Sequence, residues 1–272
     1  MHAQQVSLLQ QKLARLRSIL SEMGSVVVAY SGGIDSTFVL KVAHDQLRKK
    51  AVGITAVSPT FPSIELEAAE RVAREIGARH EIAQTDQLAI DDFVKNDANR
   101  CFHCKTDLYQ LLGGLRESQA AAYVVDGTNL DDLGDDRPGI KAARDWGVRS
   151  PLVEAELSKT DIRTLAKELG LSNWDKPAAA CLSSRIPRGN MITVEKLHRV
   201  EDAEAVLHRE GFRHFRVRNH GDVARIEVAK DELPRLIESA RCARISEKLK
   251  ELGFKFVTVD LEGYRPGGVS LG

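Results

Sequence analysis

Two kinds of hydrophobic pattern, one typical of helices and the other typical of strands, alternate along the first two thirds of the chain. Residues 4–23 place valine and leucine at three- and four-residue steps, which predicts an amphipathic helix. Helical spacing also covers residues 64–76, with Ser63 as the expected N-cap, and residues 106–115. A short apolar run at residues 25–30 is long enough for a buried strand, and further strands are predicted at residues 51–57, 80–83 and 121–126. Strands that alternate with helices predict an α/β fold with a doubly wound parallel sheet.

The pattern changes after about residue 186. A helix is predicted over residues 193–209, and a β-hairpin is predicted where two alternating segments flank the turn 219–222. A further strand is expected at 254–259. We therefore predict a first domain over residues 1–186 and a smaller C-terminal α+β domain over residues 187–272.

Composition narrows the class of protein. Acidic and basic residues balance at 39 each, and this zero net charge argues against nucleic acid as the main partner. No apolar run approaches the roughly 18 residues that a membrane span needs, and the first residues lack a signal-peptide pattern. We expect a cytoplasmic protein without a membrane partner, in which the cysteines stay reduced.

A glycine-rich segment directly follows the first predicted strand. Its sequence is Ser31-Gly32-Gly33-Ile34-Asp35-Ser36-Thr37. Glycines let the backbone approach a phosphate closely, the next helix contributes its positive end, and the Ser36 and Thr37 hydroxyls add donors. Asp35 repels a bare phosphate, so a Mg²⁺ ion between this carboxylate and pyrophosphate is expected.

The segment lacks the lysine of the GxxxxGK[ST] phosphate loop. Instead, SGGxDS after a strand resembles the PP-loop of ATP pyrophosphatases, which split ATP to AMP and pyrophosphate while adenylating an oxygen of a second substrate. An ordinary glycine turn is the alternative. Gly127, in the turn 126–129 after the fourth predicted strand, is a second expected nucleotide contact, although turn chemistry alone also explains this segment.

Three of the four cysteines attract attention by their spacing. Cys101 and Cys104 form a CxxC pair around His103, and Cys181 lies far along the chain. A zinc site would need His103 or Cys242 as its fourth ligand. A cluster held by three thiolates would leave one iron open to another ligand. A thioredoxin-like dithiol is not expected, because the pair is not predicted at a helix start near the first strand; unrelated thiols remain an alternative.

Further distinctive stretches occur at residues 136–141, 173–176, 181–185, 215–218 and 224–227. Together with residues 29–37, they make the chain resemble, nearly end to end, the LarE family of ATP-dependent sulfur transferases. That family helps to build the nickel-pincer nucleotide cofactor of lactate racemase. The resemblance implies adenylation of a carboxylate on a pyridinium biscarboxylate mononucleotide, after which sulfur displaces AMP and leaves a thiocarboxylate.

The family has two branches that differ in the source of sulfur. One branch sacrifices its own cysteine, and the other holds a 4Fe-4S cluster on three cysteines. Cys101, Cys104 and Cys181 resemble the second branch, and Ala180 stands where the sacrificial cysteine would be expected. The resemblance thus implies a 4Fe-4S cluster, a separate sulfide donor and a homo-oligomer, trimer or hexamer.

The resemblance also implies roles for individual residues. Asp35, Lys105 and Cys181 are the expected catalytic residues. The nucleotide is expected at the phosphate loop and Gly127. The expected substrate-binding residues are Ser184, Arg185, Glu204, Arg216, Arg218 and Glu227. Independently of the family, Arg216 and Arg218 alternate along one predicted strand, so both project to one face and suit bidentate phosphate binding, although a solvated strand face is the alternative.

Other functions remain open on sequence alone. A PP-loop enzyme that thiolates tRNA would also combine the loop with three cysteines. An amide-forming PP-loop synthetase would use ammonia and no cluster. A non-enzymatic nucleotide sensor would bind ATP without releasing pyrophosphate.

Overall fold

A computed structural model describes residues 2–133, 138–177 and 181–265, with side chains from residue 8 onward. The helices in these ranges are α1 (His2–Met23), α2 (Ile34–Leu47), α3 (Ser63–Ile76), α4 (Asp91–Val94), α5 (Arg100–Ser118), α6 (Pro138–Asp145), α7 (Pro151–Glu154), α8 (Lys159–Glu168), α9 (Val194–Arg209), α10 (Leu233–Leu236) and α11 (Ser239–Glu251). The strands are β1 (Val26–Ala29), β2 (Ala51–Val57), β3 (Arg79–Gln84), β4 (Tyr123–Val125), β5 (Phe215–His220), β6 (Val223–Val228) and β7 (Phe256–Val259). Residues 136–137 and Ala180 lie outside the described ranges.

The described residues divide into two compact units. The first contains residues 2–58, 63–85 and 101–177. The second contains residues 59–62, 86–100 and 181–265. The domain boundary expected at residue 186 stays a prediction.

The first unit contains a four-stranded parallel sheet in the order β3-β2-β1-β4. Alternate residues of β1 project to opposite faces, so Val26 and Val28 join the core with α1 and α2. Val27 instead joins Tyr109 and Leu112 of α5 on the other face. Helices therefore cover both faces, and the predicted doubly wound parallel sheet is confirmed.

The second unit has a separate three-stranded sheet in the order β5-β6-β7. Strands β5 and β6 are antiparallel, and β7 lies parallel to β6. The predicted hairpin is present, but its loop is only Gly221 and Asp222, because β5 continues to His220. Gly221 has a φ of +70°, which suits the tight turn.

One predicted helix start differs from the structure, because Ser63 is the first residue of α3 rather than its N-cap. Helix α5 includes residues 106–115, as predicted, and begins earlier, at Arg100, so Cys101 and Cys104 lie within its first five residues. Asp97 accepts the backbone N–H of Asn99 at 2.7 Å, and this local turn prepares the earlier start. Among the described helices, none combines the length and the apolar composition needed to cross a bilayer.

Candidate active site

The phosphate loop, residues 31–37, leaves the carboxyl end of β1 and enters α2 at Ile34. At Gly32 the backbone has a φ of +69°, and a Cβ there would lie 2.7 Å from the Cβ of Ala69 on α3. Glycine alone combines this left-handed conformation with so close an approach at no steric cost. Helix α3 therefore determines how tightly the loop turns.

Hydroxyl groups hold the shape of the loop. Ser36 Oγ accepts the N–H of Ser31 at 3.2 Å and donates to the carbonyl of Gly33 at 3.1 Å. Tyr30, directly before the loop, donates its hydroxyl to the carbonyl of Ala69 at 2.9 Å. Burial raises the pKa of Tyr30 to about 12, so this hydroxyl remains a donor at neutral pH.

The second glycine turn lies against the phosphate loop. A Cβ on Gly127 would lie 2.7 Å from the backbone nitrogen of Ser36 and 3.0 Å from the carbonyl carbon of Asp35. Asp126 anchors this turn, because its buried carboxylate accepts the Tyr109 hydroxyl at 3.0 Å. Gly127 thus approaches the loop through backbone packing, as expected for two turns at the carboxyl edge of one parallel sheet.

Asp35 combines a paired oxygen with an uncommitted one. Its Oδ2 accepts a hydrogen bond from the Lys159 ammonium, whereas its Oδ1 is buried without a hydrogen-bond partner among the described residues. Burial raises the pKa of Asp35, and the Lys159 charge opposes this rise. Lys159 is fixed at the start of α8, where Ser158 caps the helix and Asp131 accepts the Lys159 N–H at 2.7 Å. An uncommitted carboxylate oxygen beside a phosphate loop suits a Mg²⁺ ion.

Two residues of the distinctive stretch 173–176, to which the sequence assigned no contact with the phosphate loop, donate hydrogen bonds to its backbone. The carbonyl of Gly32 accepts Asn173 Nδ2 at 3.2 Å and Lys176 Nζ at 3.3 Å. Asn173 Nδ2 also contacts the hydroxyl of Thr37 at 3.0 Å. Lys176 is fixed by an ion pair with Glu65 on α3 at 2.6 Å.

Lys105 lies on α5, one position after the CxxC pair. Its ammonium is 5.4 Å from the centre of the Tyr109 ring. The aliphatic part of its side chain packs closely on Gly139, where an added Cβ would lie 3.2 Å from Lys105 Cγ. Within the part of the chain that the structure describes, no carboxylate pairs with this ammonium. The cation is therefore available to an anionic ligand.

The CxxC pair lies at the start of a helix, but this helix follows β3 rather than the first strand. Cys101 and Cys104 are three positions apart among the first five residues of α5 and thus share one helix face. Cys101 is exposed, Cys104 and Cys181 are partly buried, and all four cysteines of the chain, which include the exposed Cys242, are outside disulfides. In the described ranges, no group of three or more His, Cys, Asp or Glu side chains is gathered tightly enough to hold a metal ion.

In the second unit, two arginine–glutamate pairs surround the turn after Cys181. The Arg185 guanidinium makes two 2.9 Å hydrogen bonds to Glu204, and only 3% of its side chain is exposed. Burial opposes the charge of Arg185, but Glu204 offsets this, and the pKa of Arg185 is raised. Arg218 pairs with Glu227 at 2.8 and 3.0 Å and donates to the carbonyl of Ser184 at 3.0 Å. Both glutamates therefore hold arginines in place.

Arg216 lies on the same face of β5 as Arg218. Its guanidinium lies 5.0 Å from the centre of the Tyr264 ring and donates to the carbonyl of Phe215 at 2.7 Å. Burial and the neighbouring charge of Arg185 lower the pKa of Arg216, which nevertheless stays cationic because arginine is so strong a base. The charged side chains of this cluster, within the described ranges, are Arg185, Arg216, Arg218, Arg225, Glu204, Glu227 and Asp260. Its excess of positive charge favours an anion.

The structure thus gathers the expected nucleotide-binding residues in one group and the expected substrate-binding residues in another, one group in each unit, whereas Lys105, Cys101 and Cys104 lie on α5. The phosphate loop and Gly127 are adjacent in the first unit. The arginines and glutamates form one cluster in the second. Lys159, Asn173 and Lys176 were missed; for Lys159, the helix start marked by Ser158 and Asp161 was the available signal.

Comparison with known proteins agrees with this geometry. The sequence profile of the asparagine synthase family matches residues 16–99, which contain the phosphate loop. A parallel sheet with this loop at its carboxyl edge defines the class: the chain is an ATP-using enzyme of the PP-loop type.

The similarity to related proteins extends over almost the whole chain. The chain is 45% identical over 260 residues to an uncharacterized protein of Synechocystis sp., with 96% of this chain and 97% of that protein covered. It is 39% identical over 257 residues to the pyridinium-3,5-bisthiocarboxylic acid mononucleotide synthase of Lactiplantibacillus plantarum, with 94% and 92% covered. An uncharacterized protein of Methanocaldococcus jannaschii is 32% identical over 257 residues, with 93% and 97% covered. The chain belongs to the LarE family of ATP-dependent sulfur transferases.

Proposed function

We propose that this protein uses ATP to activate a carboxylate of a pyridinium biscarboxylate mononucleotide and replaces the activated oxygen with sulfur. The observation that carries the proposal is the 39% identity, over 94% of the chain, to a synthase whose name specifies a bisthiocarboxylic acid mononucleotide. The two anion-binding groups of the chain support it, since the reaction needs a site for ATP and a site for a phosphorylated substrate.

In the first step, a substrate carboxylate oxygen attacks the α-phosphorus of ATP, and pyrophosphate leaves with the electron pair of the broken P–O bond. The backbone N–H groups of residues 31–37 and the hydroxyls of Ser36 and Thr37 bind the phosphates. Asp35 and its uncommitted Oδ1 hold Mg²⁺, which when bound neutralises charge on pyrophosphate. Lys105 supplies a cation for the substrate carboxylate or phosphate.

In the second step, a sulfide adds to the activated carbon, and AMP leaves to give a thiocarboxylate. The phosphate of the substrate binds the arginine cluster, in which Arg216 and Arg218 face one side of β5. Glu227 and the carbonyl of Ser184 keep Arg218 oriented, and Glu204 holds Arg185. Adenylation makes the carbon electrophilic, so the remaining requirement is a sulfur nucleophile.

We propose that Cys101, Cys104 and Cys181 together bind a 4Fe-4S cluster that receives sulfide from a donor. Three reduced thiols, two of them on one helix face with Cys101 exposed and Cys104 partly buried, suit this ligand set, because clusters are held by thiolates. Such a cluster, held by these three cysteines, would leave an iron position for sulfide, and Cys181 would then remain intact. A homo-oligomer, trimer or hexamer, is proposed from the family resemblance and is tested by light scattering of the purified protein.

The test is anaerobic purification and reconstitution, followed by turnover with ATP, sulfide and the mononucleotide. We expect a brown protein with about four irons per chain and several thiocarboxylates formed per chain, with the mass of Cys181 unchanged. Replacement of Cys101, Cys104 or Cys181 by Ser abolishes iron binding, whereas the matched control Cys242→Ser retains it. A colourless protein with stoichiometric zinc would overturn the cluster.

The same assay separates the other functions. A single product per chain, with loss of sulfur from Cys181, contradicts catalytic sulfur delivery but leaves adenylation intact. Product formation with ammonia in place of sulfide, indifferent to Cys101→Ser, identifies an amide-forming synthetase. Salt-dependent tRNA binding with tRNA-dependent pyrophosphate release identifies a tRNA-thiolating enzyme.

A further inference from the structure

We infer that Asn173 and Lys176 are positioning residues that hold the peptide between Gly32 and Gly33 in the orientation that binds phosphate. The inference rests on the proposed binding of ATP phosphates at residues 31–37. Neither residue touches the reacting atoms in this account; each acts through the carbonyl of Gly32.

The carbonyl of Gly32 is the acceptor of two side-chain donors. Asn173 Nδ2 lies 3.2 Å from this oxygen, and Lys176 Nζ lies 3.3 Å from it. Asn173 is only 7% exposed, and its second contact, with Thr37 Oγ1 at 3.0 Å, fixes its amide on α2. Lys176 is fixed by Glu65 on α3 at 2.6 Å. The two donors therefore approach from separately anchored positions.

The orientation of one end of a peptide group determines the orientation of the other. In a trans peptide, C=O and N–H point in opposite directions within one plane. With the Gly32 oxygen turned toward Asn173 and Lys176, the N–H of Gly33 points to the opposite side. There it makes a contact of 3.4 Å with Ser31 Oγ, which is longer than a normal hydrogen bond. This N–H is therefore available to an anion.

A peptide between two glycines needs such support. Neither Gly32 nor Gly33 carries a Cβ, so the intervening peptide meets a small steric barrier to rotation. Rotation would turn a carbonyl oxygen toward the phosphates in place of an N–H donor. Two hydrogen bonds to the carbonyl favour the receptive orientation before ATP arrives, which lowers the ordering cost of binding.

Glu65 distinguishes this role from direct phosphate binding by Lys176. If Lys176 bound phosphate itself, neutralising its partner by Glu65→Gln would release the ammonium and strengthen ATP binding. If Lys176 instead holds the carbonyl, the same change removes its anchor and weakens binding.

The experiment measures the affinity of the full-length variants for ATP, pyrophosphate and adenosine by calorimetry in the presence of Mg²⁺. For Asn173→Ala and Lys176→Met we expect about tenfold weaker binding of ATP and pyrophosphate, as for the loss of one hydrogen bond, and unchanged binding of adenosine. Glu65→Gln shifts affinities in the same direction as Lys176→Met. Asp175→Asn, an exposed neighbour, is the matched control and leaves all three affinities unchanged.

Thermal unfolding of the ligand-free variants accompanies the binding data, since Asn173 also contacts α2. The side chain of Lys176 is less buried, so we expect Lys176→Met to retain the fold. If Asn173→Ala unfolds, the affinities of Lys176→Met test the inference. Equal losses for adenosine and pyrophosphate, or no loss for either, overturn the inference. Absence of pyrophosphate binding by the unaltered protein instead overturns the proposed role of the loop itself.

Discussion

At Gly32 two constraints meet in one residue, a φ of +69° and the Cβ of Ala69 at 2.7 Å from any added Cβ. The Gly-Gly pattern predicts a close approach to a ligand. The approach of α3 on the other side is visible only after folding. Gly32 therefore matters to the stability of the first unit as well as to the proposed binding of phosphates.

For Gly32→Ala we expect a fall in the free energy of unfolding of about 2 kcal/mol, from left-handed strain and overpacking against Ala69. Urea denaturation measures it. Gly113→Ala is the matched control: no atom lies within 4 Å of an added Cβ inside α5, so the same change should stabilise by roughly 0.5–1 kcal/mol. Equal effects of the two changes would contradict the assignment.

Burial of the Asp35 carboxylate lowers the stability of the folded protein. A carboxyl whose pKa is raised on folding stabilises the folded state most below its ordinary pKa of 3.8, and that contribution is lost as the pH rises through the raised pKa. Asparagine at this position does not titrate and keeps an oxygen for Lys159. We expect the stability of Asp35→Asn relative to the unaltered protein to increase as the pH is raised from about 3 to neutrality, while ATP cleavage is lost.

Denaturant midpoints across that pH range, with Mg²⁺ omitted, measure the relative stability. A variant that instead loses stability relative to the unaltered protein as the pH rises would show that the Lys159 pair outweighs desolvation. The direction of the pKa shift of Asp35 would then be wrong.

Among the elements, the turn of residues 182–185 and helix α9 depend on one buried ion pair. Arg185 and Glu204 have side chains only 3% and 14% exposed, and Arg185 also donates to the carbonyl of Cys181 at 2.9 Å. The pair therefore fixes the segment that begins with Cys181 onto the helix. Its importance lies in position more than in net stability, because desolvation consumes much of the attraction between buried charges.

Arg185→Met leaves the Glu204 carboxylate partly buried beside a neutral side chain, so we expect a loss of about 3–5 kcal/mol. The double variant Arg185→Met with Glu204→Gln should recover part of this loss, because no unpaired charge remains. A double-mutant cycle by chemical denaturation measures both. Additive losses would contradict a direct pair.

The sequence predicted some elements more completely than others, because only some of them carry a local hydrophobic pattern. Residues 51–57 were predicted as a strand and form β2, because a continuous apolar run is a local signal. The helix predicted over residues 106–115 forms part of α5, but its extension back to Arg100 was not predicted, because residues 100–105 show no apolar period. The shared helix face of Cys101 and Cys104 was therefore not predicted either.

At the scale of the whole molecule, the described residues of each unit have their own core: two hydrophobic clusters pack around the four-stranded sheet of the first unit, and a third packs around the three-stranded sheet of the second. Both tryptophans, Trp146 and Trp174, belong to the first unit. Tryptophan emission therefore reports on the unit that contains the phosphate loop.

We expect ATP with Mg²⁺ to raise the denaturant concentration at the midpoint of the unfolding transition that tryptophan emission follows. At a free ATP concentration of 100 times its Kd, binding to the folded state alone adds about 2.7 kcal/mol to the free energy of unfolding. Adenosine at an equal multiple of its own Kd is the reference ligand. An unmoved emission transition, with ATP binding established by calorimetry, would place the nucleotide outside the first unit.

The sequence by itself determined the alternation of strand and helix, the glycine loop after β1 and the family, because each is encoded in local spacing or in end-to-end identity. Only the tertiary structure decided the partners of these residues. Lys159 reaches Asp35 across 124 residues, and Asn173 reaches Gly32 across 141. No local period encodes such contacts, since they arise when separate helices pack against one sheet and bring distant polar groups to its carboxyl edge.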